Sequence, residues 1–168
     1  MKIAGRLAWL IVGCWVAWWL WSKAFPNEEQ RIARTLRDLA ATASFRSADS
    51  DLARLAKVSG LTRFFTADVV VNLEIENGLT LKSRGINEIM QAAQAAPSLS
   101  GSVEVQLPDV VVTLEPDGQS AQAHVTALIR QSSQKEFNLQ ELKFQLKRED
   151  DQWRVARVDS VGPLLKVR

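Results

Sequence analysis

The sequence predicts an α+β protein with an N-terminal transmembrane helix and a domain of about three helices packed on a bent antiparallel sheet. Three observations predict this architecture. Residues 7–21 contain no polar side chain. Apolar residues recur at helical spacing through the first half of the domain and alternate at strand spacing after Asp68. No strand–helix–strand rhythm appears, which excludes a parallel α/β sheet and places the helices on one face of the sheet.

Two helices are predicted at the start of the domain. The first covers residues 28–44, where Ile32 and Leu36 lie on the apolar face. The second is short, follows the polar residues 46–51, and is expected to end with Gly60 in a C-cap position.

A hairpin and a third helix follow. The alternating residues after Asp68 predict a strand, and Asn77-Gly78 is typical of a tight turn between paired strands. The third helix is predicted over residues 85–96 and is expected to stop at Pro97.

Three or four long strands are predicted for the rest of the chain. The alternation changes parity across Pro108-Asp109, which indicates a bulge that bends one strand. Turns are expected at residues 117–118 and 149–151, and the last strand stops near residue 162.

Composition limits the function classes. The 168 residues are 46% apolar and 24% charged, with a net charge of +2, so the chain is neither disordered nor a nucleic-acid binder. One cysteine, Cys14, and one histidine, His124, exclude an intramolecular disulfide, a cysteine-based metal site and a histidine cluster. No cofactor is expected.

The apolar run at residues 7–21 predicts contact with a lipid bilayer. A helix over residues 3–25 spans a hydrocarbon core, with Arg6 and Lys23 reaching the headgroups. Basic residues at the N-terminus predict a single-pass protein of the inner (cytoplasmic) membrane whose C-terminal domain is periplasmic. The domain boundaries are therefore 1–25 for the anchor and 26–168 for the soluble part.

Three other interpretations of this segment compete with the anchor. Ser22-Lys23-Ala24 resembles a signal-peptidase site, so a cleaved signal peptide stays an alternative to the anchor. Residues 11–14 have lipobox-like spacing, but apolar residues follow Cys14 where a lipoprotein would become polar. A buried core helix is disfavoured because this segment is apolar on every face.

The anchor also predicts partners. Trp15, Trp18 and Trp19 share one helical face that could contact a membrane or envelope protein. Gly13 and Ala17 form a small-xxx-small pair, a weak signal that homo-oligomers could form through close helix contact.

Three sequence segments support a family resemblance: LTRFFTADVV at residues 61–70, SRGINEIM at 83–90 and QWRVARV at 152–158. With the element order, they resemble the nuclear transport factor 2-like superfamily, which includes SnoaL-like and ketosteroid-isomerase-like proteins. The resemblance covers roughly residues 28–163 and implies a cone-shaped domain. An anchor followed by such a domain also resembles the inner-membrane scaffold subunit of type IV secretion systems, although this chain has a much shorter cytoplasmic tail.

The resemblance implies that an enzyme would carry a carboxylate, and often a tyrosine or histidine, inside the cone. This chain has no tyrosine, and His124 alternates away from the inward face of its strand. Asp68 and Asp109 are the remaining acid or base candidates, and each has a simpler role at a strand start or bulge. No catalytic residue is therefore assigned, with Asp68 and His124 as the weak candidates.

The cone interior is the remaining candidate site. Its predicted lining is Met90, Val125, Phe144 and Trp153, and large side chains among these are expected to fill it. The sequence thus predicts a non-catalytic, membrane-anchored binding or scaffold module of the envelope. The alternatives are a small-molecule lyase, isomerase or hydrolase, or a carrier of lipophilic ligands, that uses the cone.

Overall fold

The computed structural model describes residues 28–46, 48–74, 80–100, 102–131, 137–162 and 165–167, which form an α+β fold. The elements are helices α1 (Glu28–Ala43), α2 (Asp51–Leu61) and α3 (Ile86–Ser100), a 3-10 turn (Thr62–Phe64), and strands β1 (Phe65–Glu74), β2 (Thr80–Arg84), β3 (Val103–Leu114), β4 (Ser120–Gln131), β5 (Phe137–Glu149), β6 (Gln152–Ser160) and β7 (Leu165–Val167).

Two predicted features lie outside the described residues, namely the apolar segment 7–21 and the Asn77-Gly78 turn. None of the described helices combines the length and the apolar character that a membrane span requires. The hairpin itself is confirmed, because β1 and β2 pair antiparallel from Val70 opposite Arg84 to Glu74 opposite Thr80.

Two helix ends differ from the prediction. Helix α2 continues through Gly60 to Leu61, because Gly60 keeps a helical backbone and does not adopt the positive φ of a C-cap glycine. Helix α3 continues through Pro97 to Ser100. A proline removes one backbone hydrogen bond, and one missing bond in the final turns does not end this helix.

The sheet has the strand order β2-β1-β6-β5-β4-β3, and β7 pairs with the first residues of β5. One neighbouring pair departs from the predicted antiparallel sheet: β1 and β6 run parallel. Parallel neighbours need a long crossover connection, and here the whole segment between β1 and β6 provides it. The short strand β7 was not predicted.

The predicted bulge at Pro108-Asp109 is confirmed. Gln106 lies opposite Leu128, whereas Asp109 lies opposite Thr126, so β3 has one extra residue. Such bulges increase the bend of a strand. The bent sheet packs its inner face against α1, whose buried residues are Ile32, Ala33, Leu36, Leu39 and Ala40.

The turn between β5 and β6 is strained in a way that a substitution can relieve. Asp150 and Asp151 have φ values of 49° and 60°, as in a type I′ turn, where glycine and asparagine are favoured. The double change Asp150→Asn and Asp151→Gly should raise the free energy of unfolding by about 1 kcal/mol. The lost pair with Arg148 contributes little because the Asp151 side chain is 89% exposed.

Urea unfolding followed by far-UV circular dichroism measures this gain. Gln119→Gly is the matched control, since Gln119 lies in another hairpin turn and has no positive φ. The control should lower stability, and a double variant less stable than the wild type would contradict the turn assignment.

Candidate functional site

The described part of the chain forms an apolar cavity of about 400 Å³ between the helices and the inner face of the sheet, and this cavity is open to solvent. Among the described lining residues, Ser83 of β2 is the single polar side chain. The lining residues are Leu36, Leu39, Ala40, Ala43, Phe45, Leu61, Phe65, Val71, Leu73, Leu81, Ser83, Ile89, Ala92, Ala93, Val105, Leu107, Ala127, Ile129, Leu142, Phe144 and Val158.

Small side chains leave this space open. Ala127, one of two β4 residues that line the cavity, is 1% exposed, and the facing helices contribute Ala40 and Ala93. A larger residue at these positions would reach into the cavity. The mouth lies beside β2 and α3, where Leu81 is 40% exposed and Ala92 is also exposed.

A wall of the cavity depends on the segment between α1 and α2. Phe45 is 4% exposed and forms a bridge with Val103, its N–H donating to the Val103 carbonyl at 2.8 Å. The Lys57 ammonium donates to the Ser44 carbonyl (2.9 Å) and to Asp49 Oδ2 (2.7 Å). The hydrogen bond from the Arg46 backbone N–H is the largest cause that lowers the pKa of Asp49, and the hydrogen bond from Lys57 is the second. These contacts fix the segment that carries Phe45.

The opposite end of the cone, called the closed end below, is occupied by buried Trp153 and its contact with Glu28. Trp153 of β6 is 5% exposed, and its Nε1 donates to Glu28 Oε2 at 2.7 Å. Arg31 donates to the other Glu28 oxygen at 2.8 Å. Ile32 and Leu146 are buried in the same core cluster as Trp153, and the hydrogen bond fixes the start of α1 to β6.

Glu28 gives the fold a pH dependence. The Trp153 hydrogen bond is the largest cause that lowers the pKa of Glu28 below its ordinary 4.5. Stability from the ionised carboxylate is therefore present above the ordinary pKa and is lost as the pH falls through the lowered value. Urea unfolding between pH 6 and about 3 should lose stability more steeply for the wild type than for Glu28→Gln. Parallel pH profiles for the two proteins would contradict this role.

The predicted acid and base candidates do not line the cavity. His124 is exposed on the outer face of the sheet, opposite Val111 and Lys143. Asp68 was predicted at the start of a strand. It lies instead within β1, where the pairing of β1 with β6 is irregular. It is exposed, and the Thr66 hydroxyl is the largest cause of its lowered pKa. Asp109 is exposed at the β3 bulge.

The predicted lining residues separate into two groups. Phe144 lines the cavity, but Met90, Val125 and Trp153 are not among the lining residues. Trp153 packs at the closed end, where Glu28 accepts its ring N–H, so it does not reach the cavity that Phe144 lines. Sequence reasoning also missed the helical part of the lining. The signal for Leu36 was present, in the apolar face of α1.

Metal ligands are not gathered anywhere in the residues that the structure describes, since no three histidine, cysteine or acidic side chains are placed to hold an ion. The cavity itself has no titratable side chain in its described lining. The cavity can remove the apolar surface of a ligand from water, and the hydroxyl of Ser83 can form a hydrogen bond with that ligand.

Comparisons with known proteins agree with this geometry. A family model described as a SnoaL-like domain matches residues 42–159. Among curated proteins, no sequence matches this chain. The chain is similar to the crystal structure of an NTF2-like protein of unknown function from Pseudomonas putida KT2440 (14% identity, 81% of this chain and 87% of that chain, TM-score 0.62).

Two further solved structures show how widely the fold is used. One is a "putative scytalone dehydratase" from Novosphingobium aromaticivorans DSM 12444 (12% identity, 84% of this chain and 85% of that chain, TM-score 0.59). The other is the yeast UBP3-associated protein BRE5 (11% identity, 84% and 98%, TM-score 0.60). At such identities the similarity shows the fold alone, so the function has to be argued from the cavity.

Proposed function

Because this chain belongs to the SnoaL-like domain family, we propose that it is a membrane-anchored, non-catalytic module whose cone binds an apolar small molecule. The observation that carries the proposal is the cavity lining, in which Ser83 is the one polar side chain among the described residues. The volume of about 400 Å³ falls within the range of small-molecule sites.

The chemistry of the lining favours binding over catalysis. General acid–base catalysis needs a titratable group within hydrogen-bond reach of the substrate. The described lining contains no aspartate, glutamate, histidine, lysine or arginine, and both weak candidates, Asp68 and His124, have exposed side chains outside it. This supports a role in holding or carrying a ligand.

The driving force for binding would be burial of apolar surface, about 25 cal/mol per Å². A single hydroxyl orients a ligand weakly, so shape and apolar area should decide which molecules enter. We therefore expect uncharged ligands to bind in preference to ionised ones, since the described lining offers no charge partner.

Anchoring is the second part of the proposal. Residues 7–21 would hold the chain in the inner membrane with the domain on the periplasmic side, as the apolar run and the flanking Arg6 and Lys23 favour. The face formed by Trp15, Trp18 and Trp19 would contact a membrane-protein partner.

Native mass spectrometry of the full chain, released from detergent micelles, tests the binding proposal. We expect a co-purified small molecule on the wild type and its loss in Ala127→Phe, where the new ring occupies the cavity. Val111→Phe is the matched control, because Val111 is 54% exposed on the outer face of β3. Equal ligand occupancy in Ala127→Phe and the control would contradict the proposal.

A further inference from the structure

We infer that the mouth of the cavity faces away from the membrane that holds residues 7–21, so that the ligand exchanges with the aqueous compartment and not with the bilayer. This inference rests on the proposed anchoring and deepens it, because it names the side from which the ligand arrives. It follows from where the anchor joins the domain and from how far its linker reaches.

The anchor joins the domain at the closed end of the cone. Glu28, the first residue of α1, bonds to Trp153, which lies opposite Arg148 in the β5–β6 ladder. The Arg148 N–H donates to the Gln119 carbonyl at 2.8 Å. The start of α1 and the hairpin turns after β3 and β5 therefore share one end of the domain.

The mouth lies at the other end. Helix α1 has 16 residues, and at about 1.5 Å per residue it is roughly 24 Å long. Its last turn reaches the cavity through Ala43, and Phe45 pairs with Val103 at the far end of β3. Leu81, the exposed residue of the mouth, starts β2 beside the last residues of β1.

The linker is too short to turn the domain over. If the membrane helix ends at Phe25, as the sequence predicts, Pro26 and Asn27 alone separate it from Glu28. The three Cα–Cα steps from Phe25 to Glu28 span at most about 11 Å when fully extended. This reach is less than half the length of α1, so the closed end stays nearer to the bilayer than the mouth.

The geometry has a consequence for partners. A ligand that enters through the mouth does not pass directly from the lipid phase into the cone. Its donor or acceptor is therefore a soluble molecule or a soluble protein that approaches the mouth from the aqueous side.

Energy transfer from labelled protein to acceptor lipids tests the orientation. Single cysteines are placed in a Cys14→Ser background at Gln119→Cys, near the closed end, and at Thr80→Cys, near the mouth. Both positions are exposed and neither lines the cavity. Each full-length variant carries a donor dye in vesicles whose lipid headgroups carry the acceptor. We expect higher transfer efficiency from position 119 than from position 80.

Equal or higher transfer from position 80 in vesicle-bound protein would overturn this inference and leave the proposed anchoring intact. A chain that fails to float with the vesicles would overturn the anchoring and, with it, the inference. Inserting a flexible Gly-Ser segment that doubles the length of residues 22–27 should reduce the difference between the two labels. An unchanged difference would show that the linker does not set the orientation and would overturn the argument.

Discussion

Replacing Trp153 with alanine is expected to lower the free energy of unfolding by about 3–5 kcal/mol, the usual cost of deleting a buried aromatic side chain. Trp153 is 5% exposed, packs in the core cluster and fixes Glu28 through its ring nitrogen. The change removes this packing at the closed end of the cone and leaves the first turn of α1 without its contact to β6.

Trp153→Phe separates packing from hydrogen bonding. The phenyl ring keeps most of the buried area but cannot donate to Glu28, so the expected loss is only about 1 kcal/mol beyond the change in ring size. Urea unfolding by far-UV circular dichroism gives both values. A Trp153→Ala variant as stable as Trp153→Phe would contradict the structure of the closed end.

The second large effect concerns two alanines on the same face of β4. Ala123→Phe should destabilise the domain by roughly 3 kcal/mol, because Ala123 is fully buried between Val112 and Phe144 on the neighbouring strands and has no room for a ring. Ala127→Phe should change stability by only about 1 kcal/mol, since the new ring enters the cavity.

This comparison tests the cavity without any ligand. The two substitutions are chemically identical and lie four residues apart on one strand. Thermal unfolding of both variants should therefore differ strongly. Similar losses of stability in Ala123→Phe and Ala127→Phe would mean that the space beside Ala127 is filled.

Local patterns predicted most of the fold. Helical spacing identified α1 because Ile32, Leu36 and the other apolar residues of its stripe all face the sheet. The parity shift at Pro108-Asp109 identified the β3 bulge, because a two-residue period makes an inserted residue visible in sequence. Both signals arise from residues close in the chain.

Features that depend on distant residues were not predictable in this way. The parallel pairing of β1 with β6 joins residues such as Val71 and Val158, and no local pattern encodes it. The open cavity was missed for a similar reason. Whether an alanine such as Ala127 packs or faces empty space depends on α1 and α3, which approach it only in the folded chain.

A fluorescence titration with N-phenylnaphthylamine, an uncharged apolar dye, tests whether the cone binds an apolar molecule. The full chain is titrated in nanodiscs, with empty nanodiscs as the blank. We expect saturable binding at one site, at least about tenfold weaker in Ala127→Phe, which corresponds to about 1.4 kcal/mol, and unchanged in Val111→Phe. Saturable binding that is as strong in Ala127→Phe as in the wild type, or no saturable binding to the wild type at all, would contradict this expectation.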